Sequence, residues 1–170
     1  MDTESFSHEE DKRYIELQLM ALDFARNGES DTLDSMIKAG LSVDLSDEKG
    51  NTLVMLSSYS QNIDTTKMLL HHNAKVDKRN DRGQTPLGGV CFKGNLELAK
   101  ILLDGGADID ADNGGGKTPI MFAAMFGHRD IVEYLIQRGA NIKTQTFFGM
   151  SAYSLAKVTG GIRNLFGVLH

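Results

Sequence analysis

The sequence predicts an all-α solenoid of about five stacked helix-turn-helix units, two of them caps, joined by short extended tips. Three observations predict it. Gly50, Gly83, Gly116 and Gly149 stand 33 residues apart. A second series in another phase, Gly28, Gly94, Gly127 and Gly160, keeps that period with Gln61 as its one interruption. Thr85 precedes Pro86 and Thr118 precedes Pro119. Each pair combines an N-cap hydroxyl with proline at the first helical position, where the missing N–H is no loss. A period of this length marks an array in which no single unit buries its own apolar face, so function has to be read per repeat.

Within one period the elements follow in order. LGGVCF after Pro86 and IMFAAMF after Pro119 are short apolar helices, stopped at Gly94 and Gly127 by residues able to take a positive φ. LELAKILL and RDIVEYLI then carry apolar residues at helical spacing and end at Gly106 and Gly139. Ala107, Asp108, Ile109 and Ala140, Asn141, Ile142 form an extended piece leading to the next turn.

The same reading runs along the whole chain. Ser7 with Glu10 makes a capping box for a long N-terminal helix, with Tyr14, Leu17, Met20, Ala21 and Phe24 on its inward face. Residues 30–39 form the second helix of repeat one, with Leu33, Met36 and Ile37 inward. Residues 53–59 and 65–72 are the helices of repeat two. That repeat departs from its neighbours: Leu53 replaces the proline, and Gln61 and Asn73 replace glycines. Gln61 is expected at positive φ, and Thr65 and Thr66 are expected to weaken the packing, which makes repeat two the soft point. Gly88 and Gly89 interrupt the first helix of repeat three at about 1 kcal/mol each. They are expected to leave a hollow beside Phe92 for a partner side chain, with neutral drift as the alternative. The whole reads as one domain, 1–170, with an N-terminal extension and capping repeat at 1–46, repeats at 47–79, 80–112 and 113–145, and a C-terminal capping repeat at 146–170.

A 33-residue unit carrying GxTPL, then G, then LL, then GAD-I-D-A resembles the ankyrin repeat, over roughly residues 17–170. The resemblance implies a non-catalytic module that binds and regulates, inhibits or escorts another protein through its concave face and tips. An immunity-type inhibitor of an enzyme or toxin is the alternative within that class. Carried over from the family, the partner-facing helix ends fall on Tyr59 and Ser60, Phe92 and Lys93, Met125 and Phe126, Val158 and Thr159. The tips fall at 46–51, 79–84, 112–117 and 145–150. The candidate partner-binding residues are therefore Tyr59, Arg79, Arg82, Phe92, Lys93, Met125, Phe126, Phe147, Phe148 and Met150. Phe147 and Phe148 have a second reading, as C-terminal cap residues folded against Phe126 or Tyr153.

Other chemistries are weighed against the same residues. ADNGGGKT at 111–118 is one glycine short of GxxxxGK[ST], the loop whose amides cradle phosphates. It is the basis of the rival reading, a nucleotide-dependent switch or enzyme. Ala111 occupies the first glycine position, and Gly116 and Thr118 already belong to the repeat. Asp108, Asp110 and Asp112 alternate like calcium ligands, but Asn113 and Pro119 stand where such a loop needs glycine and glutamate. Adjacent His71 and His72 point about 100° apart and read as solvated helix-end residues. The single Cys91 excludes an internal disulfide and reads as a packed, inert thiol. A net charge of −5, with 18 Lys and Arg in no basic run, disfavours nucleic acid. No long apolar run or leader pattern is present, so a cytoplasmic monomer without membrane segment, cofactor or metal is expected.

Overall fold

The computed structural model describes residues 3–159. Gly160 of the second glycine series and the closing segment to His170 lie outside the described residues, as do the side chains of Val158 and Thr159. The chain divides into two compact units, Met1–Ala74 and Lys75–His170.

In the first unit α1 is Thr3–Asn27, α2 Ser30–Lys38, α3 Leu53–Tyr59 and α4 Ile63–His71. Helix α1 packs on α2 and α3, α3 on α4, and α2 on α4. In the second unit α5 is Pro86–Lys93, α6 Leu96–Asp104, α7 Pro119–Met125, α8 Arg129–Gln137 and α9 Ala152–Thr159. Helix α5 packs on α6 and α7, α7 on α8 and α9, and α6 on α8. First helices thus lie against first helices and second against second, the layering expected of stacked helix-turn-helix pairs. Val54, Leu87 and Ile120 share one register position and Leu69, Leu102 and Leu135 another; all are fully buried, as is Leu33 of α2. Each such side chain contributes about 1.5–3 kcal/mol of burial.

The local signals account for the helix starts. Thr52, Thr85 and Thr118 each hold an extended N-cap conformation. The hydroxyls of Thr52 and Thr85 accept the Met55 and Gly88 N–H groups, both at 3.2 Å. The Thr118 hydroxyl is buried without a partner, so this cap works through backbone and proline alone.

The N-terminal helix differs from expectation in two ways. It begins at Thr3, so Ser7 lies inside it rather than capping it. Of the five residues expected inward, only Ala21 is buried; Phe24 is half-buried, and Tyr14, Leu17 and Met20 are exposed, while Leu22 and Ala25 complete the contact. The reason is length: 25 residues of helix span about 37 Å, whereas the nine of α2 cover about 14 Å. Met36 and Ile37 of α2 are likewise only half-buried, and α4 starts at Ile63, two residues early.

Repeat two carries hydroxyls where the next repeats are apolar. Ser57, Ser58, Thr65 and Thr66 are all buried, at positions taken by Val90, Cys91, Leu98 and Ala99 one period later. Ser57 and Thr66 bond each other at 2.9 Å, and Thr66 also donates to the Asn62 carbonyl at 2.8 Å. The Thr65 hydroxyl is buried with no partner. Gln61 has φ 66° and Asn73 φ 60°, so both occupy the left-handed conformation that glycine holds elsewhere. Gln61→Gly is expected to stabilise the fold by up to about 1 kcal/mol, because glycine enters this region without Cβ strain. Urea denaturation checks it; a lower midpoint at unchanged m-value refutes it.

Candidate functional site

Three of the tips are built by one device, a side-chain oxygen accepting two backbone N–H groups of its own turn; in the last tip the Thr146 hydroxyl accepts the Met150 N–H at 3.2 Å. Asp47 Oδ1 accepts from Lys49 and Asn51 at 3.0 and 2.9 Å. Asn80 Oδ1 accepts from Arg82 and Gln84 at 3.1 and 3.0 Å. In the GGGKT tip the acceptor moves back one residue: Asp112 Oδ1 takes the Gly114 and Gly116 N–H groups, both at 2.9 Å. The amides that would cradle a phosphate thus already hold the chain's own carboxylate, and a bound anion would have to displace it. This geometry argues directly against the nucleotide reading.

The shift at Asp112 has a cause in the core. Asn113, the register equivalent of Asp47 and Asn80, turns inward and is buried. Its Oδ1 accepts the Thr85 N–H at 2.7 Å and the Thr85 hydroxyl at 3.0 Å, and its Nδ2 donates to the Ala111 carbonyl at 2.9 Å. A Cβ at Gly88 would lie 2.1 Å from that Oδ1. The hollow expected at Gly88 for a partner is therefore filled from within. Glycine stands there because a buried amide occupies the space that a side chain would need.

The remaining polar candidates are also consumed internally. Asp108 Oδ1 accepts from the Asp110 N–H at 3.0 Å and Asp110 Oδ1 from the Asn141 N–H at 2.9 Å, so with Asp112 each alternating carboxylate serves a backbone amide. Asp77 Oδ2 accepts the Asp108 N–H at 2.9 Å, and burial, then the neighbouring Asp108 charge, pushes its carboxyl up. Among the described residues no group of three or more His, Cys, Asp or Glu could hold a metal ion. His71 is exposed at the end of α4 as expected, whereas His72 and His128 are half-buried. His72 Nε2 meets Asp34 Oδ1 at 2.6 Å, and Lys38, then His72, hold that carboxyl below its ordinary range. His128 Nε2 donates to the Phe92 carbonyl at 3.0 Å. Cys91 is fully buried, which pushes its thiol far up and leaves no thiolate to react. No described helix is long and apolar enough to cross a membrane.

The candidate partner-binding residues sit as follows. Tyr59 is exposed at the end of α3 in the first unit. In the second unit Arg79 and Arg82 are exposed on their tip, and Lys93 at the end of α5. Phe92 and Phe126 are brought together edge to face, centroids 4.4 Å apart, with both rings still partly in water; Met125 beside them is half-buried. Phe147 and Phe148 are 81% and 88% exposed, and Met150 and Tyr153 are also exposed. Packing of the two tip rings against Phe126 or Tyr153 as cap residues is excluded by that exposure. Their backbone is nevertheless held: the Phe147 N–H donates to Gly115 O at 3.0 Å, Thr146 N–H to Met150 O at 2.9 Å and Gly149 N–H to Thr146 O at 2.8 Å.

Residues missed from sequence are Ile15 and Leu19, exposed on α1. The available signal was apolar residues over well more than half of the helix circumference between 14 and 25, wider than the stripe that one neighbouring layer covers.

Residues 72–146 match the family model described as Ankyrin repeats (3 copies), and residues 49–81 the model described as Ankyrin repeat. No curated protein matches the chain.

Proposed function

Since this chain belongs to the ankyrin repeat family, whose fold generally serves protein–protein interaction, we propose that it is a non-catalytic module that binds and regulates, inhibits or escorts another protein. The tip of Phe147, Phe148 and Met150 is its principal anchor, with Phe92 and Phe126, flanked by Lys93 and Met125, as a second apolar contact. Tyr59, Arg79 and Arg82 supply the polar and aromatic remainder. The observation that carries this reading is two phenylalanine rings more than four-fifths in water on a turn whose backbone is fixed by three hydrogen bonds. Exposed rings gain about 1.5–3 kcal/mol each when a partner covers them. A turn already ordered loses little entropy in doing so. Aromatic anchors of this kind dominate binding energy at interfaces.

The test combines capture with stability. A protein captured from the native cell by the wild-type chain is expected to bind the Phe147→Ala, Phe148→Ala variant more weakly by about 2 kcal/mol or more, with the melting temperature unchanged. A variant that melts much lower but binds its partner normally would mean that these rings serve stability and not recognition.

A further inference from the structure

The net charge of −5 is carried unevenly along the chain. Residues 1–74 hold 14 Asp and Glu against 6 Lys and Arg, a balance of −8, and residues 75–170 hold 9 against 12, a balance of +3. Within the second unit the excess of cations lies with the candidate binding residues. Its tips, 79–84, 112–117 and 145–150, and its first helices α5, α7 and α9 carry five cations, Arg79, Arg82, Lys93, Lys117 and Lys157, against two anions, Asp81 and Asp112. Asp112 Oδ1 is already taken by the Gly114 and Gly116 N–H groups. The second helices and linking segments of that unit, 75–78, 94–111 and 126–144, hold six cations against seven anions. Two of those six are in ion pairs, Arg129 with Glu133 at 2.9 Å and Arg138 with Asp104 at 3.0 Å.

The three tips of the second unit lie side by side, which sets these charges among the exposed rings. A Cβ on Gly114 would stand 3.3 Å from the Arg82 carbonyl oxygen, and one on Gly115 would stand 3.4 Å from Lys117 Nζ. The Gly115 carbonyl in turn accepts the Phe147 N–H at 3.0 Å. Lys93 follows Phe92, whose ring meets Phe126. We infer that this surface takes an acidic segment of the partner, in which Asp or Glu flank aromatic or aliphatic side chains. The inference rests on the binding role proposed above and adds the partner's chemistry to it. Apolar side chains of the segment cover Phe147, Phe148 and the Phe92–Phe126 pair, and its carboxylates meet Arg82 and Lys117. A basic segment would set like charges face to face, which costs affinity and slows encounter. A nucleic acid also answers to cations and stacking rings. It adds a charge with every phosphate, however, to a chain whose total is already −5, and the five cations form no continuous run.

Selection of random short peptides displayed on phage against the full chain reads the chemistry of this surface directly. Peptides retained by wild type and lost by the Phe147→Ala, Phe148→Ala variant are expected to be enriched in Asp and Glu around apolar residues. The tightest of them is expected to bind the Arg82→Glu, Lys117→Glu variant about tenfold or more weakly, and to bind wild type less well as salt rises. The same peptide with lysine at its acidic positions is expected to prefer that reversed variant over wild type, a gain that an unfolded variant could not show. Retained peptides that are basic or uncharged overturn the inference and leave the binding role standing. A poly-uridine RNA bound more tightly than the best peptide overturns it as well. If no peptide distinguishes wild type from the phenylalanine variant, the anchor role of that tip fails and the inference fails with it.

Discussion

Gly88→Ala is expected to destabilise the chain by about 3 kcal/mol, although alanine is the better helix former by about 1 kcal/mol. The added Cβ would sit 2.1, 2.5 and 2.9 Å from Oδ1, Cγ and Nδ2 of Asn113, distances at which something must move. The backbone of α5 is held by its own helix, so Asn113 has to leave. Its departure strands the Thr85 N–H and hydroxyl on one side and the Ala111 carbonyl on the other. Overpacking of a core costs about 1–3 kcal/mol. A buried polar group left unpaired costs about as much again. Urea denaturation of a double-mutant cycle separates these terms from helix propensity. Asn113→Ala alone is expected to lower stability, because it too strands the Thr85 N–H. In that background Gly88→Ala is expected to become neutral or stabilising, since the three overlapping atoms are gone. A Gly88→Ala variant more stable than wild type would show that Asn113 does not hold the place described.

Gly94→Ala is expected to cost about 2–3 kcal/mol, and Gly106→Ala and Gly139→Ala only about 1 kcal/mol each. All three glycines hold left-handed backbone, at φ 86°, 91° and 91°, so the conformational cost is common to them. What differs is the neighbour. A Cβ at Gly94 would lie 2.3 Å from Cε1 and 2.4 Å from Nδ1 of the His128 ring, whereas at Gly106 and Gly139 nothing lies within 4 Å. The ring would have to swing away and release the Phe92 carbonyl at the end of α5. The excess over Gly106→Ala is therefore the cost of breaking the joint between two adjacent repeats. It is expected to vanish in a His128→Ala background, as thermal or chemical denaturation of the four variants can show. Equal losses at Gly94 and Gly106 in the wild-type background would mean that the histidine contact contributes nothing. Because Phe92 and Phe126 meet edge to face beside this joint, Gly94→Ala should also weaken partner binding where Gly106→Ala does not.

The sequence by itself determined what depends on neighbours within about one helical turn. The 33-residue period, the threonine and proline helix starts, and the positive φ of Gln61 and Asn73 are of this kind, since each is set by short-range sterics and hydrogen bonds. Register arithmetic on that period also named Phe92, Phe126, Phe147, Phe148 and Met150. Only the tertiary structure decided what depends on residues far apart in the chain. Asn113 and Thr85 are separated by 28 positions and His128 and Phe92 by 36, so no local pattern distinguishes an asparagine that turns inward from the Asp47 and Asn80 that hold their own tips. The same limit applied to Gly88, read as a hollow until the amide filling it was placed. It applied to GGGKT, whose amides attract a phosphate on paper and hold Asp112 in the fold. It applied to α1 as well: an apolar face is visible in the sequence, but whether a neighbour covers it depends on the length of the helices packed alongside, and α2 is too short to reach Ile15.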